Sequence, residues 1–106
     1  MEIGKLQEEV MEWARRNFPQ AERWEPLVGL QEEIGELSHA FLKKHQNIRL
    51  EEDHDANMVD AVGDIVVYLA NFCGRNGIDL NRAVEQVWSE VRQRDWTKTS
   101  LERPKS

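Results

Sequence analysis

The apolar positions run on the helical period from end to end. Ile3, Leu6, Val10, Trp13 and Ala14 fall on one stripe, which predicts a first helix over residues 2–17 that Pro19 brings to a close. Residues 18–25 read as a short link, and Pro26 suits the first turn of a second helix. That helix is expected to reach about residue 46, with Leu27, Leu30, Ile34, Leu37 and Phe41 facing inward. Residues 47–53 are polar and read as a connector. A third helix is expected over 54–75, with Asp53 or Asp55 as its N-cap. Its second half, IVVYLANFC, is apolar nearly all round, which predicts a central position. The β-branched density there would also suit a strand, but helical spacing on both sides decides for helix. Gly74, Asn76 and Gly77 supply a stop and a turn. Asp79 then caps a fourth helix carrying Leu80, Val84, Val87, Trp88 and Val91 on one face.

Short connections favour antiparallel neighbours, so the expected fold is all-α: a compact, four-helix bundle-like domain over residues 1–96 with a loosely ordered polar tail over 97–106. At 106 residues the chain is short for two domains and long enough to bury roughly 65% of its unfolded surface around one core. Four amphipathic helices in so short a chain leave apolar surface over, which a homodimer or homotetramer would cover.

Charge and cysteine content narrow the function classes. Fourteen Lys and Arg against twenty Asp and Glu give a formal net charge of −6, the wrong sign for a nucleic-acid polymer or an acidic membrane surface. A single cysteine, Cys73, excludes an internal disulfide framework and a thiolate zinc cage, and it suits a reducing cytoplasm. The longest apolar run, residues 65–70, falls far short of the ~20 residues of a membrane span, and no basic-then-apolar signal peptide opens the chain.

The acidic residues are not evenly spread. Glu32, Glu33 and Glu36 stand together on the second helix, and Glu33 lies ~80° from the centre of the Leu30–Ile34–Phe41 stripe, at the edge of the expected buried face. Asp60 and Asp64 sit four apart on the most apolar helix, and Val67 and Asn71 continue their stripe. Two unit charges ~6 Å apart repel by roughly 3 kcal/mol at an effective dielectric of ~20. If the two helices pack side by side, up to five carboxylates converge with no nearby run of Lys or Arg. A divalent cation removes the conflict, and an all-oxygen donor set favours Mg²⁺, with Mn²⁺ as a substitute. The bland alternative is a pair of solvated acidic faces. Gly35 and Gly63 weigh against it, because each costs roughly 1 kcal/mol inside a helix, and a glycine beside each carboxylate pair suggests close helix approach or room for a ligand.

The segment LQEEIGELSHAFLK resembles the first motif, E-E-x-x-E, of the MazG-like nucleoside triphosphate pyrophosphohydrolases, and DAVGDIVVYLANF resembles that superfamily's E-x-x-D helix with Asp64 in the aspartate position. The resemblance spans about residues 25–96. It departs at Ala61, where the family glutamate would fall, with Asp60 one residue earlier as the substitute. In the fourth helix, only Arg94 fits the N-x-K-x-x-R pattern of many relatives.

The resemblance implies a Mg²⁺-dependent hydrolysis of a (d)NTP to the monophosphate and pyrophosphate. Glu33, Glu36, Asp64 and Asp60 would hold metal, and Glu32 would orient or deprotonate the attacking water. Phosphoryl chemistry of this kind needs positioning and electrostatics rather than a Ser or Cys nucleophile. Lys43, Lys44, Arg49 and Arg94 are the candidate phosphate partners, although Lys43 and Lys44 also suit the negative end of their helix. Among the four tryptophans, Trp13 and Trp88 sit on core stripes and read as packing. Trp24 and Trp96 are placed to stack on a base, and Tyr68 and Asn71 are further pocket candidates.

Two other readings compete. Glu36 and His39 match the E-x-x-H spacing of di-iron carboxylate bundles, but the second such pair, Glu51 and His54, lies in the predicted connector. A non-catalytic helical module that dimerises and binds a partner would account for Ala61, but gains nothing from Glu33, Glu36 and Asp64.

Overall fold

The computed structural model describes residues 1–97. The expected polar tail, from residue 98 onward, lies outside them. Among the described residues the chain is all-α, with α1 (Ile3–Asn17), α2 (Glu25–His45), α3 (His54–Arg75) and α4 (Leu80–Val91) and no strand.

The helix ends follow from local chemistry. The Asp53 carboxylate accepts from the Ala56 N–H at 2.9 Å and caps α3, and the Asp79 carboxylate accepts from the Arg82 N–H at 3.0 Å and caps α4. At the far end of α3, Gly77 takes φ +68°, which lets the Ile78 N–H reach back to the Cys73 carbonyl at 2.8 Å. Asn47, with φ 58°, does the same after α2, where the Ile48 N–H reaches the Lys43 carbonyl at 3.1 Å.

α3 is the hub, touching the other three helices. α2 packs along α3 alone, α1 crosses α3, and α4 rests on α1 and the end of α3. The expected central position of α3 therefore holds. The well-packed core sits at one end, where Val10, Ala70, Cys73 and Leu80 meet with Ile3, Leu6, Leu69 and Phe72 around them. Arg75 fastens α1 and the link there. Its guanidinium donates to the carbonyls of Ala14, Phe18 and Ala21 at 3.2 to 3.4 Å.

Which face of α2 is buried corrects the pattern-based expectation. Leu27, Ile34 and Phe41 are 40%, 47% and 56% exposed, while Pro26, Ala40 and the half-buried Gly29 and Glu33 meet α3. Leu30 and Leu37 of the expected stripe are half-buried as predicted, whereas small residues and the Glu33 carboxylate take the remaining places in the seam and Leu27, Ile34 and Phe41 turn outward. α3 shows the same at Val59 and Val62, and α4 at Val84, Val87 and Trp88, so Trp88 is surface rather than packing. The single chain is accordingly open: its Cα radius of gyration is 17.5 Å, against about 13 Å for a compact chain of this length.

α3 has 22 residues and a mean hydropathy of 1.2 over its most apolar stretch, enough by length and composition to cross a membrane, as a core helix of a soluble protein also is. Asp60 and Asp64 stand in its middle, where a bilayer would charge several kcal/mol for each.

Candidate functional site

The antiparallel α2–α3 seam sets carboxylates opposite one another. Glu33 is half-buried on α2, and its Oε2 is shut off from solvent with no hydrogen-bond partner among the described residues. Burial, then the charges of Glu36 and Asp64, a side-chain hydrogen bond with Glu36 and the charge of Asp60 push its carboxyl above the ordinary value of 4.5. Glu36, Asp60 and Asp64, the other acids singled out from spacing, thus all act on Glu33. Asp64 is half-buried, Glu36 and Asp60 are exposed, and Glu32 points to solvent one position away. No three His, Cys, Asp or Glu side chains among the described residues form a ready-made set of ligands to one ion. Ala61 is buried, so the neighbouring Asp60 is the residue that reaches the carboxylate side of the seam.

Two hollows flank this cluster. Toward the N-terminal end of α2, a pocket of about 340 Å³ is walled by Trp13, Phe18 and Tyr68, floored by Pro26 and Val67, and rimmed by Glu25, Asp64, Asn71 and Arg75. Trp13 and Phe18 meet edge to face with ring centroids 5.5 Å apart. Tyr68 packs against Gly29, where any side chain on α2 would run into its ring. Toward the other end, a cleft of about 220 Å³ is lined by Glu36, His39, Ala40, Lys43, Asn57 and Asp60. Asp64 opens onto the first hollow, and Glu36 and Asp60 onto the second, whose one basic side chain is Lys43.

Of the residues expected to touch substrate, Tyr68 and Asn71 line the aromatic pocket and Lys43 lines the cleft. Lys43 is also bound to Glu52, with Nζ 3.3 Å from the carboxylate, and Arg49 approaches the same group at 3.7 Å from within the connector. Trp24, Trp96 and Arg94 line neither hollow; Trp24 stands exposed at the start of α2, and Trp96 and Arg94 follow α4. The pattern-based reading missed Trp13, which lines the aromatic pocket instead of packing in a core, and Arg75. The signals were there: Trp13 and Phe18 straddle the end of α1, and Asn71 and Arg75 are four apart on α3. Gly35 and Gly63 face open space, so they provide room rather than close helix approach; the close approach is at Gly29. The second E-x-x-H pair does not join the cluster, because His54 is buried in the α2–α3 turn with Nε2 2.9 Å from the Ile48 carbonyl.

Comparison with protein-family models, with curated proteins and with solved structures returns no match to this chain.

Proposed function

We propose that this chain is a Mg²⁺-dependent nucleotide pyrophosphohydrolase of the MazG-like kind, converting a (d)NTP to the monophosphate and pyrophosphate in the cytoplasm as a homo-oligomer. The observation that carries the reading is Glu33: a carboxylate oxygen buried without a partner, acted on by three further carboxylates, of which Asp64 lines the aromatic pocket. A protein that needed only to fold would replace such a group or pair it. The donor chemistry suits a hard cation, being all oxygen with one acceptor left unused. Glu33, Glu36, Asp64 and Asp60 would hold it, with Asp60 in place of the family glutamate that falls on Ala61. When bound, the ion neutralises phosphate charge and stabilises the leaving pyrophosphate.

The chain's own residues supply the rest. Trp13, Phe18 and Tyr68 offer stacking faces to a base, each such contact being worth ~1–3 kcal/mol. A base seated there directs its phosphates along the seam, past Asp64 toward Glu36 and Lys43. Lys43 is within reach of a phosphate by exchanging Glu52 for it. Glu32, exposed beside the cluster, takes the proton as water adds to phosphorus. The bridging P–O bond breaks and its electron pair leaves with pyrophosphate. The uncovered stripes of α2, α3 and α4 support the oligomer, since a lone chain would expose Leu27, Ile34, Phe41, Val59 and Trp88 to water.

The test is incubation of the purified chain with Mg²⁺ or Mn²⁺ and a panel of NTPs and dNTPs, with pyrophosphate and orthophosphate assayed separately and Glu36→Ala as the control. Pyrophosphate plus monophosphate, lost in the variant, is the expected result. Orthophosphate release lost in the variant keeps the site and overturns the reaction. Silence across the panel overturns the enzyme reading in favour of a binding module.

A further inference from the structure

The aromatic pocket contains one amide whose orientation is fixed. Asn71 Oδ1 accepts from Arg75 Nε at 2.8 Å. A guanidinium can only donate, so the atom of Asn71 that faces it must be the carbonyl oxygen, and the amide has no equivalent flipped state. Arg75 is itself immobilised by the carbonyls of Ala14, Phe18 and Ala21, which tie it to the end of α1 and the link. The other end of the amide, Nδ2, is not buried and has no partner among the described residues, and Asn71 lines the pocket. The pocket therefore presents a fixed N–H donor beside its aromatic walls. The carboxylates on its rim, Glu25 and Asp64, are acceptors when ionised, and Glu25 already accepts from the Glu22 N–H.

We propose that Asn71, oriented by Arg75, reads the edge of a planar heteroaromatic ring in this pocket and selects an exocyclic oxo group over an exocyclic amino group. The ring's identity as a nucleobase rests on the nucleotide reading above; the donor edge does not. An oxo group completes the amide's free hydrogen bond. An amino group sets donor against donor at that edge and forgoes the hydrogen bond that the oxo group makes. Arg75 is a positioning residue in this scheme and touches no ligand.

The experiment measures the full-length chain against two matched pairs that differ by oxo or amino, uracil against cytosine and hypoxanthine against adenine deoxynucleotides. Monophosphates are titrated by calorimetry without metal, and triphosphates are compared by kcat/KM with Mg²⁺. The oxo member of each pair is expected to be favoured about tenfold or more. Asn71→Asp keeps a partner for Arg75 and turns the free edge from donor to acceptor, so it should abolish or invert the preference. Asn71→Leu should weaken the oxo member and level the pair. Circular dichroism confirms that each variant is folded. Equal treatment of the oxo and amino members by the wild type overturns the proposal, and so does a preference that survives Asn71→Asp. Turnover without discrimination sinks this inference and spares the hydrolase. Discrimination in binding without turnover spares this inference and sinks the hydrolase. Absence of both binding and turnover overturns both.

Discussion

Two glutamates on the same helical hairpin are treated in opposite ways. Glu52, in the turn between α2 and α3, is paired with two cations, Lys43 at 3.3 Å and Arg49 at 3.7 Å, and has the His54 Nδ1 at 3.9 Å. The hydrogen bond and charge of Lys43, helped by Arg49 and His54, hold its carboxyl below the ordinary range. Glu33, at the middle of the seam, has a buried oxygen with no partner and three carboxylates acting on it, and its carboxyl is pushed up. The chain is able to pair a carboxylate where pairing serves folding, as the turn shows. At the seam it gathers acids without doing so, and folding alone gives no reason for that arrangement.

The largest expected effect separates the two groups by function. Glu33→Gln, Glu36→Ala or Asp64→Asn should lower pyrophosphate release by ~100-fold or more, since each removes an oxygen from the proposed cation site. Without divalent ions, Glu33→Gln should be as stable as the wild type or more so. Glu52→Gln should do the reverse, causing no loss of turnover on that scale while lowering the thermal midpoint. Mg²⁺ at 100 times its dissociation constant should stabilise the wild type by about 2.7 kcal/mol, and should do nothing for Glu33→Gln. Turnover assays and thermal melts with and without chelator check both halves. A Glu33→Gln variant that stays fully active would break the comparison.

Next in size are the glycines along the seam. Gly29→Ala should cost ~1–3 kcal/mol in urea denaturation, because the added methyl meets the Tyr68 ring and must reshape the aromatic pocket. Gly35→Ala and Gly63→Ala meet nothing within the chain, and should gain up to ~1 kcal/mol from helix propensity. Lost turnover, or a changed mass by light scattering, in these more stable variants would show that substrate or a second copy uses that space.

Much of this architecture was legible from spacing and capping. Asp53, Asp79 and Gly77 mark helix ends because a cap needs a particular side chain or a positive φ, and both are written locally. The acid cluster was legible for a similar reason: Glu33 and Glu36 share one helix face, Asp60 and Asp64 another, and α2 and α3 are joined by a short turn that makes them antiparallel neighbours. The direction of the apolar stripes was not. Periodicity identifies a hydrophobic face on α2 but not what covers it, and in the single chain Ala40, Pro26 and Glu33 win the place against α3 while Ile34 and Phe41 turn out. Trp13 was misassigned to a core by the same logic. Its place in the pocket depends on where α1 crosses α3, a tertiary fact that the bonds from Arg75 to the α1 terminus and the link help to fix.

The smallest expected effect is a pair of opposite pH dependences, and it tests the comparison without reference to catalysis. With its folded carboxyl above 4.5, Glu33 binds more protons in the folded chain than in the unfolded one as pH rises from 4.5 to the raised value. Stability should therefore fall with rising pH through that window and stay lower above it. With its folded carboxyl below 4.5, Glu52 binds fewer protons when folded. Its contribution is present above 4.5 and is lost as pH falls through the depressed value. Urea midpoints in chelator should show Glu33→Gln gaining on the wild type as pH rises from 4.5 through that window. Glu52→Gln should trail the wild type at neutral pH and close the gap in acid. Two variants that track the wild type in parallel across the range would mean that both carboxylates titrate alike in the folded and unfolded chain. The seam would then hold no more electrostatic tension than the turn, and the strongest physical reason for placing a cation there would be gone.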